Sequence, residues 1–80
     1  MQIKNISQLG QLIRQSRKAQ GLTQQELAAA AAVGERFIRE VEQGKNSCHI
    51  GKVIQVIQML GLNLMIQGVK EVKDSKAIQQ

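Results

Sequence analysis

Four charged residues of alternating sign fall within six positions: Glu35, Arg36, Arg39 and Glu40. At about 100° per residue they share one arc of a helix, and Ile38 and Val41 take the opposite side. An arginine fork suits paired bonds to N7 and O6 of guanine, and a glutamate can accept from N4 of cytosine. Mixed signs facing a polyanion make sense where bases are discriminated, because a carboxylate near phosphates weakens indiscriminate binding. The spacing also fits a plainer reading, in which Glu35 and Arg39 form an i, i+4 surface pair and read nothing. Phe37 lies on the flank of the apolar side, suited to core packing or to a thymine methyl.

Other chemistry finds little support. Cys48 and His49 are neighbours, but the chain holds one Cys and one His. Protein zinc sites want three or four ligands, so no metal and no cofactor is expected, and Cys48 reads as a half-buried small residue near a helix start. A single His, no phosphate loop and no triad arrangement argue against an enzyme. The net charge of +5 and pI near 9.9 favour polyanions without naming one. With one Phe and no Trp or Tyr, the chain lacks a stacking platform for single strands. A lone cysteine excludes an internal disulfide and suits a reducing compartment. No apolar run approaches membrane-spanning length, and no signal-peptide layout opens the sequence.

The charged arc must be positioned by its neighbours, within one small domain of 80 residues and a thin core. From Gly21 to Lys45 the pattern is two short helices joined by a tight turn. Gly21 suits the end of a preceding helix. Thr23 and Glu26 form a capping box, and the alanine run through Ala32 favours helix. A break falls between Ala32 and Gly34, and Gly44 ends the second helix. Upstream, Ser7 can cap a helix running to about Gln20, with Leu9, Leu12, Ile13, Ser16 and Ala19 facing the core. Gly10 weakens that helix unless close packing repays the loss. Met1 to Ile6 reads as a frayed arm or a brief strand.

Downstream, a fourth helix is expected from about Ile50 to Leu60, with Val53, Ile54, Val56, Ile57 and Leu60 as its apolar face and Gly61 as its stop. The period then changes. Leu62, Leu64 and Ile66 alternate with Asn63, Met65 and Gln67, as in a strand. A single strand needs a ladder partner. The simplest partner is the same strand of a second copy about a two-fold axis; pairing with residues 2–6 is the alternative. Residues 68–80 read as a solvated polar tail, with a brief helix around Val69 to Ile78 in a complex.

Residues 7–66 resemble the Xre-type helix-turn-helix family, which includes lambdoid phage repressors. The resemblance is carried by Arg17, Leu22-Thr23-Gln24, Glu26-Leu27-Ala28, Val33, Ile38, Val41-Glu42 and Gly44-Lys45. Two positions depart from the pattern: the family usually has Gly where Ala32 stands, and Ser or Thr where Gly34 stands. The run GERFIREVEQGK followed by GKVIQVIQMLGLNLMI is most similar to HipB-type antitoxins of toxin–antitoxin systems.

This resemblance implies a mainly α, lambda-repressor-like bundle of four to five helices, with one short C-terminal β-strand paired across a homodimer. Residues 1–67 would form the DNA-binding and dimerisation domain and 68–80 the tail. Glu35, Arg36, Arg39 and Glu40 would read bases in the major groove. Thr23, Gln24, Gly34 and Lys45 would meet the DNA backbone, with Thr23 a cap first. Leu62, Leu64, Met65 and Ile66 would dimerise. Arg17 would pair with Glu42; a solvated arginine is the alternative. The implied partners are double-stranded DNA carrying an inverted repeat, a second copy, and a HipA-like serine/threonine kinase toxin, with no membrane. The implied place is the bacterial cytoplasm, at the nucleoid. A phage or host repressor without a toxin is the nearest alternative. A protein-interaction module that no longer binds DNA is the other.

Overall fold

The structure, a computed structural model, describes residues 2–66. These form four helices: α1 (Ile6–Ala19), α2 (Gln24–Ala31), α3 (Glu35–Glu42) and α4 (Ile50–Met59). Helix α3 packs on α1 and α2, and α4 packs on α2. Ile13, Leu27, Ile38, Val41, Val53 and Val56 meet in the middle and are shut off from solvent.

Helix α1 begins two residues earlier than expected. Asn5 is the cap, its side chain accepting from the Gln8 amide at 2.9 Å, and Ser7 lies inside the helix. The core-facing stripe is also displaced. Gly10, Ile13 and Arg17 are buried, Leu9, Leu12 and Ser16 are half-buried, and Ala19 faces solvent. The last buried turn is thus occupied by a charged residue with a partner, described below. Gly10 has a packing reason: a Cβ there would lie 2.2 Å from the Val41 carbonyl oxygen. The absent side chain lets α1 and α3 touch backbone to backbone.

Helix α2 opens with the full capping box. The Thr23 hydroxyl accepts from the Glu26 amide at 3.0 Å, and the Glu26 carboxylate accepts from the Thr23 amide at 2.9 Å. It ends at Ala32, in the left-handed region with φ 59° and ψ 42°. The Val33 amide then bonds back to the Ala28 carbonyl, the hydrogen bond that closes a left-handed helix terminus. An alanine in this conformation is strained by about 1 kcal/mol relative to glycine. Gly34 caps α3 from ordinary extended backbone, with no side-chain cap bond.

Helix α3 buries Ile38 and Val41 completely. Phe37 is half-buried against the core, with the Lys52 ammonium 5.9 Å from its ring centroid, so core packing is its resting role. His49 caps α4, its Nδ1 accepting from the Lys52 amide at 3.3 Å. Val53, Val56, Ile57 and Leu60 close the core and Ile54 is half-buried.

Among the described residues no strand forms. Leu62 packs on the core edge, and Leu64, Met65 and Ile66 are exposed without a ladder partner. No ladder joins 62–66 to residues 2–6, so the pairing within one protomer is not made. Met1, Gln67, the tail at 68–80 and the brief helix expected around Val69 to Ile78 lie outside the described residues.

These two backbone features predict opposite outcomes in thermal unfolding. Ala32→Gly should relieve the left-handed strain and stabilise by up to about 1 kcal/mol, the gain being reduced by the freer unfolded chain. Gly10→Ala should overpack the α1–α3 contact and destabilise by about 1–3 kcal/mol.

Candidate nucleic-acid interface

The site is built on an ion pair. Arg17, on the last buried turn of α1, donates from Nε to Glu42 Oε2 at 2.6 Å and from Nη2 to Oε1 at 3.1 Å. Its remaining terminal nitrogen donates to the Leu22 carbonyl at 2.8 Å. The Gln24 side-chain amide donates to Glu42 Oε1 at 3.1 Å. One carboxylate at the end of α3 therefore gathers α1 and the first residue of α2. The Glu42 side chain is only 4% exposed. Burial pushes its pKa up, but hydrogen bonds from Arg17 and Gln24, with the charges of Arg17 and Arg14, outweigh it and hold the carboxyl below its usual range. Its bond to Glu42 holds the Arg17 guanidinium above its own usual value, against desolvation.

Around this pair runs an open cleft lined by Arg14, Arg17, Gln24, Arg39, Glu42 and Gln43. Arginines outnumber carboxylates on its walls, so its field favours an anion. Arg14 and Gln43 were not singled out from the sequence. Arg14 stands one helical turn before Arg17, and that i, i+3 spacing was the available signal. The bond of Gln24 to Glu42 was also missed, because it joins two helices.

On its outer side α3 carries the alternating charges. Arg36 is the most open, with its side chain 83% exposed. Glu35 and Arg39 are about half exposed and face each other at 3.6 Å, so the plain i, i+4 pairing is present in the free protein. Glu40 sits deeper. Its Oε2 accepts from Arg36 Nε at 3.2 Å and from Lys45 Nζ at 3.3 Å. The hydrogen bond from Lys45, against some desolvation and aided by the charges of Lys45 and Arg36, keeps its pKa below the usual carboxylate value.

The residues expected at the DNA backbone flank this surface at both ends of α3. Gln24 lines the cleft, Thr23 is engaged as a cap, Gly34 caps α3 with open space around it, and Lys45 stands three residues past the end of α3 at Glu42. The expected dimerisation residues lie elsewhere. Leu64, Met65 and Ile66 form an exposed apolar run after α4. The Cys48 thiol donates to the Lys45 carbonyl, and burial pushes its pKa up, with Glu40 adding to the effect. No group of three or more potential metal ligands occurs among the described residues. No helix among them is long and apolar enough to cross a membrane.

Comparison with known proteins agrees with this geometry. A family described as a helix-turn-helix domain matches residues 8–64. The uncharacterized HTH-type transcriptional regulator y4mF of Sinorhizobium fredii is 50% identical over 64 residues, covering 80% of this chain and 84% of that one. A chain of the HipA-HipB-O2-O3 complex superposes with a TM-score of 0.79 at 23% identity, covering 88% of this chain and 99% of that chain. The restriction-modification controller protein C.AhdI of Aeromonas hydrophila superposes with a TM-score of 0.66 at 24% identity, covering 72% and 88%. At these identities the two structures speak for the fold.

The buried pair predicts a pH-dependent stability. Because Glu42 has a depressed folded pKa, its contribution is present above the unfolded carboxylate value and is lost as pH falls through the folded one. Melting temperature should therefore drop on acidification, and Glu42→Gln should flatten that drop. Arg17→Ala leaves a buried carboxylate without its partner and should cost about 3 kcal/mol at neutral pH. An unchanged melt of Arg17→Ala contradicts the tie.

Proposed function

The chain belongs to the helix-turn-helix domain family, with an HTH-type transcriptional regulator as a close relative, and from that premise we propose that it is a sequence-specific DNA-binding repressor. The observation that carries this reading is the division of α3 into two sides. Ile38 and Val41 are wholly buried, while Arg36 and Arg39 stand out beside a cationic cleft. In this motif the second helix of the pair lies in the major groove, with its early residues at base edges. Arg36 is placed to read guanine, with Glu35 and Arg39 beside it. Gln24, Gly34 and Lys45 at the helix ends fix register against phosphates.

The reading includes a homodimer. The exposed run Leu64, Met65 and Ile66 has unpaired backbone and apolar side chains, and both are satisfied by the same segment of a second copy. Two reading helices would then sit about one duplex turn apart, roughly 34 Å, over an inverted repeat. The protein would act in the cytoplasm, at its own operator.

Within this function, likeness in fold to a chain of the HipA-HipB-O2-O3 complex supports an antitoxin that pairs with a HipA-like kinase toxin. Likeness to the controller protein C.AhdI supports a second reading, a regulator with no toxin. A kinase reading frame beside the gene supports the first, and its absence the second.

The test is an electrophoretic shift with duplex from the upstream region of the gene, at fixed salt. Wild type should bind in preference to scrambled duplex. Arg36→Ala should lose about 1–3 kcal/mol and relax preference at one base position. Lys45→Ala should weaken all duplexes alike and reduce the salt slope by about 1. Wild type that shifts neither duplex contradicts the proposal and favours an interaction module. For the dimer, light scattering at micromolar concentration should give about twice the 8.8 kDa chain mass; only monomer contradicts it.

A further inference from the structure

Glu40 and Arg36 form the i, i+4 pair that the sequence reading assigned to base recognition by both. Their exposures and bonded atoms differ. The Glu40 side chain is 26% exposed against 83% for Arg36, so the carboxylate lies behind the guanidinium. One oxygen, Oε2, holds both Arg36 Nε and Lys45 Nζ. An oxygen held by two cations is poorly free to accept from a base, which leaves Oε1 as the only acceptor Glu40 could offer. Its attachment on Arg36 is also specific. It takes Nε and leaves both terminal nitrogens without a partner among the described residues. Those two nitrogens present parallel donors, the fork that matches N7 and O6 of guanine. Arg39 offers a contrast, because its ion pair to Glu35 runs through the terminal nitrogen Nη2.

The backbone reinforces the arrangement. The Lys45 amide bonds to the Glu40 carbonyl at 3.0 Å, so the chain past the helix returns to Glu40 by main chain and by side chain. Glu40 thus joins a candidate base reader to a candidate phosphate contact.

We propose that Glu40 is a positioning residue, which holds Arg36 by Nε and so aims its free fork at a guanine in duplex DNA. The inference rests on the DNA-binding reading above. A surface ion pair adds little to stability. Its effect here is on the orientations that a long side chain samples before binding, and therefore on discrimination.

The experiment is a set of affinities for the upstream duplex and for versions changed at single base pairs. It compares wild type, Glu40→Gln, Glu40→Ala, Arg36→Ala and the Arg36→Ala/Glu40→Ala double variant. Thermal melts should match wild type for the Glu40 variants, which sets a folding defect aside. Glu40→Ala should cut the guanine preference at the position read by Arg36 by about tenfold, or roughly 1.4 kcal/mol. Affinity for scrambled duplex should hold or rise, since a negative charge has gone. Glu40→Gln, which keeps an acceptor for Nε, should recover part of the preference. In the Arg36→Ala background, Glu40→Ala should change base preference no further.

Two results overturn the proposal while leaving DNA binding in place. In one, Glu40 variants alter preference at a different base pair, additively with Arg36→Ala; Glu40 then reads a base itself. In the other, wild type discriminates and the Glu40 variants discriminate equally well. Wild type that prefers no duplex overturns both this proposal and the reading beneath it.

Discussion

Helix α3 is eight residues long, too short to hold its own shape or direction in water. Everything proposed for its outer side depends on how it is fastened, and the fastening is the buried pair of Arg17 and Glu42. Ile38 and Val41 fix which side faces inward. They leave the helix free to tilt or slide. The bidentate bond to Arg17 at the far end of α3 removes that freedom, and the close approach at Gly10 sets the depth of the contact. Gln24 extends the fastening to α2. A buried ion pair adds little net stability, because desolvation offsets much of the attraction. What it supplies here is one allowed geometry among many apolar ones.

Charge is then distributed in two tiers. Glu42 is consumed inside the domain, so Arg17 presents little free charge outward. Glu35 and Glu40 restrain Arg39 and Arg36 on the surface. A surface bare of carboxylates would attract any duplex through its phosphates. With the glutamates present, attraction to phosphates is reduced, and on the proposed reading discrimination would rest on well-aimed donors. The chain's modest net charge of +5 fits that balance.

Local signals were legible in the sequence. The Thr23–Glu26 box, the inward pair Ile38 and Val41, the turn at Ala32 and the stop at Gly61 each rest on a few adjacent residues, and each is in place. The tie between Arg17 and Glu42 came from family resemblance, since 25 residues separate the two. What escaped depended on geometry between elements. Asn5, not Ser7, is the first cap, because both residue types satisfy the same rule and they stand two residues apart. Ala19 was assigned inward by spacing alone, while the neighbouring stripe ending at Arg17 took the buried positions. The bridge from Glu40 to Lys45 crosses a helix end, where periodicity gives no guidance. The strand pattern at Leu62 to Ile66 finds no ladder partner among the described residues, because alternation signals a strand without supplying the chain it pairs with.

The central claim is that α3, clamped from behind, lies in a DNA groove with its charged arc inward to the bases. The most direct measurement is an NMR titration of the labelled protein with duplex from its own upstream region, followed at each backbone amide. The account predicts that the largest shifts cluster at residues 23–24 and 34–45, while the buried methyls of Ile38 and Val41 keep their intramolecular contacts. Shifts confined to α4 and residues 59–66, with residues 35–40 unmoved, would contradict it.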